Sequence, residues 1–196
     1  MPDADYLVAG LGNPGSSYEW TYHNLGFQVV DRLALRNNIR VTRKDCRALV
    51  GGGRIGEAEI LLAKPQTMMN LSGEAVKGLL EKNGLEPRQV VVVYDELDLP
   101  WGAVRVRPSG SAGGHHGVED VIRCLGTQEF VRVRLGIHPG HPVRDGAGFV
   151  LAAISSGQRK ELDEILDHAA GAVESIIAEG AAKAMATYNR RAPGQE

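Results

Sequence analysis

The sequence predicts an α/β domain in which strands alternate with helices, and three observations carry that prediction. Val90, Val91, Val92 and Val93 stand in a row. Four consecutive β-branched residues mark a strand buried on both faces, the kind found at the centre of a covered sheet. Leu25, Val29, Val30 and Leu33 recur at helical spacing and place a helix over roughly 24–36. Leu162, Ile165, Leu166, Ala169, Val173, Ile176 and Ile177 form one apolar stripe near the C-terminal end, with Ser155 and Gln158 spaced as a helix cap before it. At 196 residues, one layered domain is the expectation.

The remaining elements follow in order. Residues 6–11 are an apolar run halted by Gly12-Asn13-Pro14-Gly15, which reads as a strand and a forced turn. Residues 46–63 read as two strands around a turn at Gly51-Gly52-Gly53. Val76, Leu79 and Leu80 share a face of a second helix that stops near Asn83-Gly84. The valine strand spans 89–94. Residues 103–107 alternate as a half-exposed strand, and so do residues 131–137, with Val131, Val133 and Leu135 inward and Arg132 and Arg134 outward. A Gly/Ser loop over 110–117 precedes a short helix reaching about Leu125.

Composition narrows the function classes. Hydrophobic residues make up 43% and charged residues 23%, which supports a core and argues against disorder. Aromatic residues are only 5%, so stacking surfaces for single-stranded bases are scarce. The net charge of −2 does not suit a non-specific nucleic-acid binder, but Arg105, Arg107, Arg123, Arg132, Arg134 and Arg144 fall in one stretch that can form a local basic patch. Cys46 and Cys124 fit neither a disulfide framework nor a CxxC site. No secretory leader or bilayer-spanning run is expected, so a cytoplasmic setting is the default.

Four segments place polar groups where a core does not want them. Asn13, in the turn after the first strand, is held where its amide can donate to a substrate carbonyl; a plain turn also explains it. His23 precedes the first helix. A lone histidine is often structural, but imidazole is the natural general base near neutral pH. Asp95 follows the valine strand, and open α/β sheets bind ligands beyond the carboxyl ends of their strands. A carboxylate there can fix an imidazole's tautomer and support its charge. Gly113-Gly114-His115-His116-Gly117 lets backbone approach a ligand. Its histidines are also candidate metal ligands, although adjacent histidines aim poorly at one ion and no HExxH-type spacing exists. Met68-Met69-Asn70-Leu71-Ser72-Gly73 alone reads as a helix start capped by Asn70 or Ser72.

GLGNPG at 10–15, HN at 23–24, MNLSG at 69–73, DELDLP at 95–100 and GSAGGH at 110–115 occur in the order and spacing of bacterial peptidyl-tRNA hydrolases, and the chain resembles that family along essentially its whole length. The resemblance implies a monomeric fold with a twisted mixed β-sheet sandwiched between helices. It implies metal-independent hydrolysis, with no cofactor, of the ester joining a peptide to the 3′ end of tRNA. His23 then matches the catalytic base, Asp95 the acid that supports it, and Asn13 the residue that discriminates peptidyl-tRNA from aminoacyl-tRNA. Tyr18, Met68 and Asn70 match positions lining the substrate channel, and Arg107 and Arg134 match basic positions that grip tRNA phosphates. The chemistry of the residues agrees: an ester needs an activated water and a donor for the oxyanion, and guanidinium suits phosphate.

Three departures stand out. His116 occupies the place of the family's Asn in GGHNG, so a neutral imidazole replaces an amide at a substrate contact. A protonated His116 offers only donors and repels a protonated His23, so activity is expected to fall steeply below about pH 6.5, where free imidazole titrates. Tyr22 replaces an Arg before the histidine, and Met68 replaces an aromatic. Two other readings compete with the hydrolase. One is a non-catalytic RNA-binding relative, favoured only by His116. The other is a metal-dependent hydrolase using His23, Asp95, His115 and His116.

Overall fold

The computed structural model describes residues 3–190. Its frame is a seven-stranded mixed sheet, and the valine strand sits near the middle of it. β1 (Tyr6–Gly10) lies between β4 (Ala58–Pro65) and β5 (Val90–Pro100), parallel to both. β5 pairs in parallel with β7 (Val131–His138), and β6 (Val104–Arg107) closes that edge antiparallel to β7. The other edge is antiparallel: β2 (Arg43–Asp45), β3 (Ala48–Ile55), then β4. The order is β2-β3-β4-β1-β5-β7-β6.

Helices cover both faces, which is why the valines can run unbroken. Val91 and Val93 point into one core with Val29, Val30 and Leu33 of α1 (Leu25–Arg36) and the apolar stripe of α5 (Ser156–Glu179). Val90, Val92 and Tyr94 point into the opposite core, with Ala75, Val76 and Leu79 of α2 (Ser72–Lys82) and Val118 and Val121 of α3 (His116–Leu125). The expected cap is present: Ser155 and Gln158 form a capping box at the start of α5. The C-terminal helix ends at Gly180, whose φ of 89° suits glycine, and resumes as α6 (Ala181–Tyr188).

Three expectations need correction. Gly51-Gly52-Gly53 is not a turn but lies inside β3; the turn is at Gly56-Glu57. The glycines make room for the chain leaving α1, since a Cβ on Gly51 would lie 2.1 Å from the Arg40 carbonyl oxygen. β5 runs on through the acidic segment to Pro100, so Asp95 stands within the strand instead of after it. The partner strand β7 continues alongside, pairing without a break to Glu96 and again, after a register shift, at Pro100. Arg132 does not face outward: it is 1% exposed, because α3 and its flanking loops cover that face of the sheet as well.

One close crossing positions the site. A Cβ on Gly10 would sit 2.1 Å from the Gly26 carbonyl oxygen, and one on Gly26 would sit 2.3 Å from that of Val93. Only this glycine pair lets α1 start hard against the ends of β1 and β5. The turn before α1 carries His23, and the next positions along β5 carry Tyr94 and Asp95.

Candidate active site

His23 and Asp95 meet at that crossing. His23 Nδ1 lies 2.8 Å from Asp95 Oδ2 and 3.0 Å from Oδ1, and both residues are buried. A carboxylate can only accept here, so Nδ1 carries the proton and Nε2 keeps its lone pair. A second imidazole shares the carboxylate: His115 Nε2 lies 3.0 Å from Asp95 Oδ1. The tautomer of His115 follows from its other nitrogen. His115 is the N-cap of α3, and its Nδ1 accepts from the Val118 N–H at 3.2 Å, so Nε2–H donates to Asp95. Burial alone would raise the Asp95 carboxyl, but the adjacent His115 and His23 imidazoles outweigh it and hold the group below the ordinary carboxylate range.

Asn13 is pinned beside this pair. Its side-chain oxygen accepts from the Met69 N–H at 2.7 Å. Its backbone N–H and carbonyl pair with the Asn24 side chain at 2.8 and 2.9 Å. With Oδ1 committed, Nδ2 is the end of the Asn13 amide left for a ligand.

These groups form one wall of a cavity of about 440 Å³. Asn13, His23, Met68, Asn70, Asp95 and His116 all line it, so six of the nine site residues expected from sequence converge. Met68 is 46% exposed at the mouth, and His116 is an exposed residue on the first turn of α3. The opposite wall comes from Val150 and Leu151, at the end of the short α4 (Gly146–Val150). The Pro- and Gly-rich segment after β7 thus ends in helix. It is tied to the histidine segment: the Tyr22 ring stacks on Phe149 at 4.9 Å and meets Trp101 edge-on at 6.0 Å. Tyr22 therefore packs in the core and is not among the residues that line the cavity.

The other three residues lie elsewhere. Tyr18 sits half-buried in the turn before Trp20, outside the cavity lining. Arg107 is exposed on the edge strand β6. Arg134 is largely covered and bonds Glu96 through Nη1 at 3.0 Å, so it is not a free surface cation. Burial raises the Glu96 carboxyl, and Arg134 opposes that rise. Nothing in the sequence pattern assigns a role to Asn24, to Met69 or to the bond from His115 to Asp95. The HN and MNLSG motifs flagged the first two as positions; only the fold shows that their polar groups hold Asn13.

His23, Asp95 and His115 each offer a donor atom within 4.8 Å of the others, a spacing a metal ion would accept. The hydrogen bonds argue otherwise. The His115 Nδ1 lone pair is taken by the Val118 N–H, its Nε2 is protonated, and Asp95 accepts from both imidazoles.

Comparison with known proteins gives the family of the chain. Residues 7–195 match the family model described as peptidyl-tRNA hydrolase. The chain is 60% identical to a peptidyl-tRNA hydrolase of Solibacter usitatus over 96% of both chains. It is 48% identical to one of Koribacter versatilis, over 94% of this chain and 92% of that one. A crystal structure of peptidyl-tRNA hydrolase from Acinetobacter baumannii superposes with a TM-score of 0.88 at 33% identity, over 98% of both chains.

Proposed function

Since the chain belongs to the peptidyl-tRNA hydrolase family, we propose that it cleaves the ester between a peptide and the 3′ end of tRNA with His23 as base and Asp95 as its support. The observation that carries the assignment is the 2.8 Å contact between His23 Nδ1 and Asp95 Oδ2 at the edge of the cavity. Nε2 of His23 takes a proton from water as the water oxygen attacks the ester carbonyl carbon. Asp95 stabilises the imidazolium formed. The amide N–H groups of Asn13 and Asn70 donate to the oxyanion; one such donor is typically worth about 3 kcal/mol. As the tetrahedral intermediate collapses, His23 returns the proton to the departing ribose oxygen, giving free tRNA and a peptide acid.

The rim binds. Met68 and Leu151 offer apolar contact to the peptide, and His116 faces it with an imidazole where relatives of the resembled type carry Asn. Arg107 is an exposed cation for the tRNA backbone, and Tyr18, although outside the cavity lining, contacts the substrate at its periphery. Arg134 contributes only as far as phosphate competes with Glu96 for its guanidinium. Such contacts position tRNA without reading sequence. No described helix is long and apolar enough to cross a membrane. A monomer acting in the cytoplasm, with the whole chain as one domain, completes the reading.

The test is release of tRNA from an N-blocked aminoacyl-tRNA with a strong chelator present. Wild-type turnover should persist, and His23→Ala should lose about 10²–10⁴-fold, the usual contribution of a general base. Turnover abolished by chelator would favour a metal. Tight tRNA binding without turnover would favour a binding protein.

A further inference from the structure

We propose that Arg132 is a positioning residue for the hydrolytic centre: it clamps the segments on either side of α3 and thereby holds the His115–Asp95 hydrogen bond. The inference rests on the assignment of His23 and Asp95 above.

Arg132 is the largest of the fully buried side chains. Its donors go to backbone carbonyls, not to a carboxylate. Nη1 donates to Ser111 O at 2.9 Å, Nη2 to Gln128 O at 3.0 Å and Nε to Phe130 O at 3.3 Å. The guanidinium also stacks 4.1 Å over the Phe130 ring, with the Tyr94 hydroxyl beside it. A buried cation is costly, and an apolar side chain of similar volume often serves stability as well. What an apolar side chain cannot supply is a planar fork that fixes three carbonyl groups at once.

The three carbonyls mark what is fixed. Ser111 lies four residues before His115, in the loop that leads into α3. Gln128 and Phe130 lie in the turn that leads out of it. Arg132 therefore ties both connections of α3 to β7, and α3 carries His115 as its N-cap. A second path runs through Tyr94, whose ring meets the His115 ring at 5.0 Å and 62°. Arg132 itself does not line the cavity, so it reaches the reaction only through these neighbours.

Steady-state kinetics on an N-blocked aminoacyl-tRNA, with folding checked by thermal melting, test the inference in Arg132→Ala and Arg132→Lys. Folded Arg132→Ala should lose roughly 10–100-fold in kcat, the scale of a displacement near 1 Å, with KM within about twofold of wild type. Millimolar guanidinium should restore part of that loss, and Arg132→Lys should fall between. Should Arg132→Ala not fold, Tyr94→Phe serves instead, removing one hydroxyl; its kcat should fall by about threefold at unchanged KM, a small part of the same displacement effect. Unchanged kcat in folded Arg132→Ala, a loss confined to KM, or a loss that guanidinium leaves untouched and that matches the unfolded fraction would overturn the proposal. So would an inert Tyr94→Phe where Arg132→Ala is unfolded. A wild-type enzyme without turnover would instead count against the assignment of His23 and Asp95.

Discussion

The floor and the rim of the cavity are built on opposite principles. On the floor, nearly every polar atom has a partner: Asp95 accepts from two imidazoles, His115 uses both nitrogens, and Asn13 is held through its side-chain oxygen and both backbone groups. Two groups are left over for a ligand, the lone pair on His23 Nε2 and the Asn13 Nδ2 donor. On the rim, Met68 is 46% exposed and Leu151 45% exposed, and Asn70 and His116 are exposed as well. A buried hydrogen-bonded cluster is rigid and costly to disturb, whereas exposed side chains adapt at little cost. The floor should therefore govern the chemical step and the rim should govern binding.

Substitutions can break that division, and the largest effect belongs to Asp95. Asp95→Asn should lower kcat by about 10²–10⁴-fold with KM nearly unchanged, because an amide can present the wrong tautomer of His23 to water. The same variant reports on stability. A carboxyl held below its unfolded value stabilises the fold at pH above that unfolded value, near 3.9, and loses this contribution as pH falls through its depressed folded value. Thermal melts should show a gap between wild type and Asp95→Asn that holds from pH 7 to about 5 and narrows below about pH 4; a gap that stays constant below about pH 4 would contradict the shift. His115→Ala should cost less, ~10–100-fold in kcat, equivalent to losing a hydrogen bond to a charged group worth about 1.5–3 kcal/mol. Smallest is the rim: Met68→Ala should raise KM by roughly fivefold for peptidyl substrates, about 1 kcal/mol of lost apolar contact, and leave kcat alone. A kcat loss in Met68→Ala equal to that of His115→Ala would erase the distinction between the two regions.

The same contrast explains what was legible in the sequence. Local periodicity identified the valine strand, α1 and the capped C-terminal helix, because burial on one face or both writes itself into neighbouring residues. It failed at Gly51-Gly52-Gly53, where the cause is a carbonyl of Arg40 arriving from outside the strand. It failed at Arg132 for a related reason. Alternation separates the two faces of β7 but does not say that α3 covers the second. In the site, His23, Asp95 and Asn13 stood out by residue type and motif. His115 was legible as a residue but not as a partner of Asp95, since that bond spans twenty positions and exists only once the loop folds back. Arg134 looked like a free cation until Glu96, on the neighbouring strand, was seen to occupy it.

The central claim is that one buried carboxylate holds two imidazoles in different tautomers. Nitrogen-15 and proton NMR of the histidine rings at neutral pH tests it without any substrate. The account predicts His23 protonated on Nδ1 with a bare Nε2, His115 protonated on Nε2, and both downfield N–H signals absent from Asp95→Asn. A His23 ring protonated on Nε2, or a His115 ring protonated on Nδ1, would contradict it.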